Sequence, residues 1–106
     1  EKARQRDAWI TIQRGHAIAN GLPVMVANRV GTEPDPTGLG PGLQFWGSSF
    51  VAGPQGEILA SAPVGEASVL VTTIDRARSE QVRRIWPYLR DRRIEAYGDI
   101  TRRYRD

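Results

Sequence analysis

Two short apolar runs, residues 47–53 and 57–62, flank the tripeptide Pro54-Gln55-Gly56. Proline pre-sets the backbone for the second position of a turn, and glycine accepts the left-handed conformation that the turn's end requires. The spacing therefore predicts an antiparallel β-hairpin. A hairpin by itself is marginal in water, so this feature obliges the rest of the chain to supply further strands and a covering layer.

The flanking sequence offers both. Residues 4–20 read as a helix, with Trp9, Ile12, His16 and Ala19 forming an apolar stripe at helical spacing. Asn20-Gly21 is a stop signal, and Pro23 prevents continuation. Residues 23–30, PVMVANRV, read as a buried strand whose polar end carries Asn28 and Arg29. Residues 31–43 hold three prolines and four glycines, which predicts a long loop. Residues 68–74, SVLVTTI, read as a further strand. Asp75 is a helix N-cap, and the helix it starts runs to Ile85 before Trp86-Pro87 ends it. The remainder carries spaced apolar anchors at Tyr88, Leu89, Ile94, Tyr97, Ile100 and Tyr104. The expected order is helix, strand, loop, hairpin, strand, helix, tail. Residues 1–86 then form the folded part, and residues 87–106 a tail that docks against either this chain or a partner.

Composition narrows the chemistry. The 106 residues contain no cysteine and one histidine, His16. Disulfides, thiolate metal sites and a thiol nucleophile are absent from this sequence, and a histidine cluster for a metal is excluded. We expect no metal and no cofactor. The lack of cysteine is compatible with a cytoplasmic location, and no run is long and apolar enough for a membrane span. Net charge is +3, and ten of the fourteen arginines follow Asp75. Acids are interleaved with them, as in Arg90-Asp91-Arg92-Arg93-Ile94-Glu95. This pattern reads as a salt-bridged surface, not a track for nucleic-acid phosphates.

Three stretches carry a family resemblance: residues 13–33, with GHAIANGLPVMVANRVGTE; residues 45–57, FWGSSFVAGPQGE; and residues 86–97, WPYLRDRRIEAY. Together they resemble the nitrilase superfamily of carbon–nitrogen hydrolases, and within it the N-carbamoylputrescine amidohydrolase branch. The resemblance implies an α/β fold, the C-terminal half of a four-layer α-β-β-α sandwich. It implies an amidohydrolase that releases putrescine, carbon dioxide and ammonia through a glutamate, a lysine and a cysteine. In the family those three residues precede the region matched here, so no catalytic residue is assigned to this chain. On its own the chain is expected to be inactive.

Several side chains are candidates for a substrate pocket. Asn28 is placed to orient substrate or to tie down backbone at a strand end. Glu33 is a carboxylate suited to a cationic amine, or a solvated loop acid. Phe45 and Trp46 read as pocket wall or core, and Ser49 as a hydrogen-bonding residue beside the pocket. His16, on the apolar stripe, reads as structural. The expected ligand is a small linear N-carbamoyl amine or amide. In the resembling family the C-terminal tail reaches across to another subunit, which implies a homo-oligomer through residues 87–106. The alternatives are a non-catalytic interaction module of the same fold, or part of an amidase acting on another linear amide.

Overall fold

The computed structural model describes residues 1–104. Helix α1 spans Lys2–Asn20, and Gly21 caps it in the left-handed conformation, with φ 57°. A short strand β1, Val24–Val26, follows. Strands β2, Val30–Glu33, and β3, Leu43–Trp46, form a two-stranded antiparallel ribbon. Strands β4, Phe50–Ala52, and β5, Ile58–Ser61, form the hairpin around Pro54-Gln55-Gly56. Helix α2 spans Arg76–Ile85. Two 3-10 turns, Ile94–Ala96 and Gly98–Thr101, complete the described chain.

The main sheet has the order β1-β4-β5, all antiparallel. Val24 lies opposite Ala52, and Val26 opposite Phe50. Side chains alternate between sheet faces, so these four point one way, and α1 covers them. Ala17, Phe50 and Ala52 form the buried cluster, with Trp9, Ile10, Val24 and Val26 packed against it. Trp9 meets the Phe50 ring edge-on at 5.8 Å between centroids. On the other face Met25 is 74 % exposed. Between β4 and β5 the register shifts at Val51/Ala52, leaving Leu59 as the extra residue of a bulge.

The hairpin turn is anchored to α1. Arg14 Nε donates to the Gly56 carbonyl at 2.6 Å. Within the turn, the Gly53 amide donates to the Glu57 carbonyl at 2.8 Å, and the Gln55 amide to the Glu57 carboxylate at 2.8 Å. Gly56 has φ 76°, and a Cβ there would lie 2.8 Å from Ile18 Cδ1. Glycine is therefore favoured by the backbone conformation, and a Cβ would also displace the end of the Ile18 side chain.

Four expectations are corrected. The buried stripe of α1 runs through Arg6, Trp9, Ile10, Gln13 and Ala17, whereas Ile12, His16 and Ala19 are exposed. The sheet selects the face that carries Ala17, the buried residue of the helix, and the apolar count alone pointed to another face. Residues 23–30 do not form one strand: pairing with β4 stops at Val26, and the chain crosses to a second sheet at Val30. The loop expected over residues 31–43 shortens to residues 34–42, because Val30–Glu33 pairs residue for residue with Leu43–Trp46. Residues 68–74 form no strand among the described residues, and Val69 and Val71 are each 89 % exposed. A strand needs a neighbour to satisfy its backbone groups, and none lies beside this segment.

The molecule is thin and open, with extents of 53 × 46 × 20 Å and a radius of gyration of 18.4 Å. A compact chain of this length would have a radius of about 13 Å. Its surface is 8534 Å², against about 5,900 Å² for a compact monomer of its mass. The tail is equally open: Leu89, Ile94, Ile100 and Tyr104 are all largely exposed. Arg105 and Asp106, the last two residues of the expected tail, lie outside the described residues.

Candidate functional site

Two of the sequence candidates, Asn28 and Ser49, meet where the two sheets join. The chain leaves β1 through residues 27–29 and returns from β3 through residues 47–49, and the two crossings lie side by side. The Asn28 amide donates to Ser49 Oγ at 2.9 Å, and Ser49 Oγ donates to the Asn28 carbonyl at 3.4 Å. Asn28 Nδ2 donates to the Gly47 carbonyl at 2.8 Å, while Asn28 Oδ1 accepts from the Arg29 amide at 2.8 Å. The Gly47 amide donates to the Arg29 carbonyl at 2.8 Å. Both ends of the Asn28 side chain are therefore engaged by backbone. Asn28 and Ser49, 21 residues apart in sequence, act as one clamp.

The return crossing is conformationally strained. Gly47 and Ser48 both adopt positive φ, 66° and 56°. For serine this left-handed region costs on the order of 1 kcal/mol or more. Ser48 is nonetheless buried, its amide donating to the Pro63 carbonyl at 3.3 Å. Ala62 and Gly65 amides complete the seam by donating to Ser49 and Trp46 carbonyls. The strain is thus held in place by neighbours on both sides.

Phe45 and Glu33 lie on the ribbon, linked by Arg29. The Arg29 guanidinium sits 4.2 Å from the centre of the Phe45 ring and forms an ion pair with Glu33. The Glu33 carboxylate thus already has a cationic partner. Trp46 turns inward, 6.4 Å from Trp9 in an edge-on contact. His16 is exposed, and its carbonyl accepts from Asn20 Nδ2 at 2.9 Å. The structure so brings Asn28 and Ser49 into direct contact, places Trp46 at the edge of the core, and puts Phe45 and Glu33 around one arginine.

Sequence reasoning read Arg29 only as part of a polar strand end and gave Ser48 no structural role. Arg29 and Glu33 are four residues apart, which in extended chain puts both side chains on one face, and this spacing was the available signal. Nothing local marks Ser48 as left-handed. Beyond the ribbon, Asp35 accepts from the Thr37 amide and hydroxyl at 2.9 and 2.8 Å. These bonds hold its carboxyl below the ordinary value. Among the described residues no group of three histidine, cysteine or acidic side chains is placed to hold a metal ion. No helix there is long and apolar enough to cross a membrane.

Comparison with known proteins gives four concordant findings. The sequence model of the family described as carbon–nitrogen hydrolase matches residues 1–84. N-carbamoylputrescine amidase of Arabidopsis thaliana is 42 % identical over 93 residues, covering 87 % of this chain and 31 % of the relative. Citrullinase of Francisella tularensis is 37 % identical over 99 residues, covering 93 % and 34 %. A crystal structure of a carbon–nitrogen hydrolase from Helicobacter pylori G27 superimposes with a TM-score of 0.93 at 57 % identity. It covers 99 % of this chain, which spans 36 % of that one. The chain thus spans about a third of the length of the relatives it matches.

Proposed function

This chain belongs to the carbon–nitrogen hydrolase family and carries part of its α/β fold, and from that premise we propose that it is the C-terminal part of an amidohydrolase acting on a small linear N-carbamoyl compound. The substrate we favour is N-carbamoylputrescine, which would place the enzyme in polyamine biosynthesis in the cytoplasm. A cysteine outside these residues attacks the carbamoyl carbon and ammonia leaves. Water then cleaves the carbamoyl-enzyme, and the resulting carbamate loses carbon dioxide to give the free amine. Such a nucleophile needs a nearby base and a stabilised intermediate. This chain contributes the sheet and the clamped crossing behind the pocket, and its tail joins subunits.

The observation that carries the reading is a combination: near-complete coverage of this chain by a carbon–nitrogen hydrolase, with no cysteine among its 106 residues. The structural match explains the fold, and the missing thiol supports placing the chemistry outside these residues. The similarity to a citrullinase favours a second reading of the substrate, a ureido amino acid in place of a carbamoyl amine.

Ammonia release from N-carbamoylputrescine and from citrulline tests these readings together. The 106-residue chain alone is expected to release none. The protein in which it is joined to the remaining two-thirds of the family's length is expected to release one ammonia per N-carbamoylputrescine. Turnover by the chain alone would overturn its assignment as the non-catalytic part. A longer protein that prefers citrulline would replace the favoured substrate with the second.

A further inference from the structure

Residues 67–74, ASVLVTTI, have the make-up and period of a strand but no strand to pair with. None of their backbone amides or carbonyls takes part in a hydrogen bond among the described residues. Exposure alternates along them: Leu70, Thr72 and Ile74 are half-buried, whereas Val69, Val71 and Thr73 are exposed. That period of two belongs to a strand with one face covered. The run is rich in β-branched residues and holds no charge, proline or glycine. Such a run readily takes a further strand alongside it.

The ends of the run say what that further strand is. Glu66 precedes it, and Asp75 and Arg76 follow it. Glu66 and Arg76 are exposed, and neither forms an ion pair among the described residues. Asp75 is engaged, accepting from the Arg78 amide at 3.1 Å. An antiparallel pair of two copies centred on Val71 sets Leu70 opposite Thr72, Val69 opposite Thr73 and Ser68 opposite Ile74. Each of these pairs joins side chains of the same face. Continued outward, the same register sets Glu66 of each copy opposite Arg76 of the other, twice by symmetry. Opposite charges across a strand pair stabilise it, and like charges destabilise it. A parallel pair in register would instead set Glu66 beside Glu66 and Arg76 beside Arg76.

We propose that residues 67–74 of this chain pair antiparallel with the same residues of a second copy. The charge complement needed at each end is present in the chain itself, so the occupant is a second copy. Two short strands bury less surface than a standard interface between proteins. The dimer is therefore weak, and its share rises with concentration. The pairing uses no residue of the tail, and it does not depend on the hydrolase reading.

Sedimentation of the 106-residue chain over a range of concentrations, with hydrogen exchange on the same samples, tests the pairing. The mass is expected to shift from one chain to two as concentration rises, and exchange over residues 68–74 to slow in step. Val71→Lys sets two lysines opposite each other and is expected to abolish both changes, as is Val71→Glu. Mixing these two variants is expected to restore them. Val71 is 89 % exposed, so neither substitution disturbs the core. Glu66→Arg is expected to weaken the dimer, and Glu66→Arg combined with Arg76→Glu to restore it. Fast exchange over residues 68–74 at every concentration would overturn the proposal. Slow exchange in the single chain would also overturn it, by placing the occupant within the same molecule. A dimer that persists in Val71→Lys, or one that neither the mixture nor the paired charge reversal restores, overturns it as well.

Discussion

Residues 24–26 and residues 68–74 are similar as sequence, VMV against SVLVTTI, yet one is a strand and the other is not. The first lies against β4, with Val24 and Val26 beneath α1. The second has no strand beside it among the described residues, and its valines face solvent. The same contrast separates the larger regions. Up to Ala62 the chain holds Phe50 and Ala52 at 2 % and 0 % exposure. Beyond it Val82 alone is a buried hydrophobic residue among those described. Apolar composition supplies the incentive to bury surface, but a strand forms where a neighbour takes its backbone hydrogen bonds.

Four measurements break or sharpen this contrast. Phe50→Ala removes the largest fully buried side chain and is expected to cost about 3–5 kcal/mol in chemical denaturation of the chain. A loss below 1 kcal/mol would mean that the closed region has no specific core. Gly56→Ala forces a Cβ against Ile18 with φ at 76°, for an expected loss of about 1–3 kcal/mol. An unchanged denaturation midpoint would show that the turn does not depend on α1. Asp75→Ala removes the acceptor of the Arg78 amide at the start of α2. It is expected to cost that helix about 1 kcal/mol, read as faster hydrogen exchange over residues 76–79. Ile100→Ala, in the open region, is expected to change stability by less than about 0.5 kcal/mol. A change as large as that at Phe50 would mean that the tail is packed in solution.

The ribbon loop adds a pH dependence with a definite sign. Asp35 has a lowered folded-state value through its bonds from Thr37. Its contribution is present above the ordinary carboxylate range and is lost as pH falls through the lowered value. Amide exchange at Thr37 is thus expected to stay slow at pH 5 relative to Asp35→Asn, and the difference to vanish in strong acid.

Much of the fold was legible because its signals are local. Gly21 ends α1, Asp75 begins α2, and Pro54-Gln55-Gly56 turns the hairpin; each acts on backbone within four residues. The candidate site was legible in part. Asn28 and Ser49 stood out one at a time, but their mutual clamp depends on two crossings 21 residues apart. The α1 stripe was misread for a related reason: the helix offers two apolar faces, and only the sheet chooses between them.

The sequence by itself determined the family, the helix ends, the hairpin turn and the absence of a thiol nucleophile, since each follows from residue identity or near-neighbour chemistry. Tertiary structure decided which face of α1 is buried, where the long strand divides between two sheets, and that residues 68–74 pair with no strand among the described residues. Those outcomes depend on what lies across from each segment, and backbone hydrogen bonds and apolar surface are satisfied only by a partner in space.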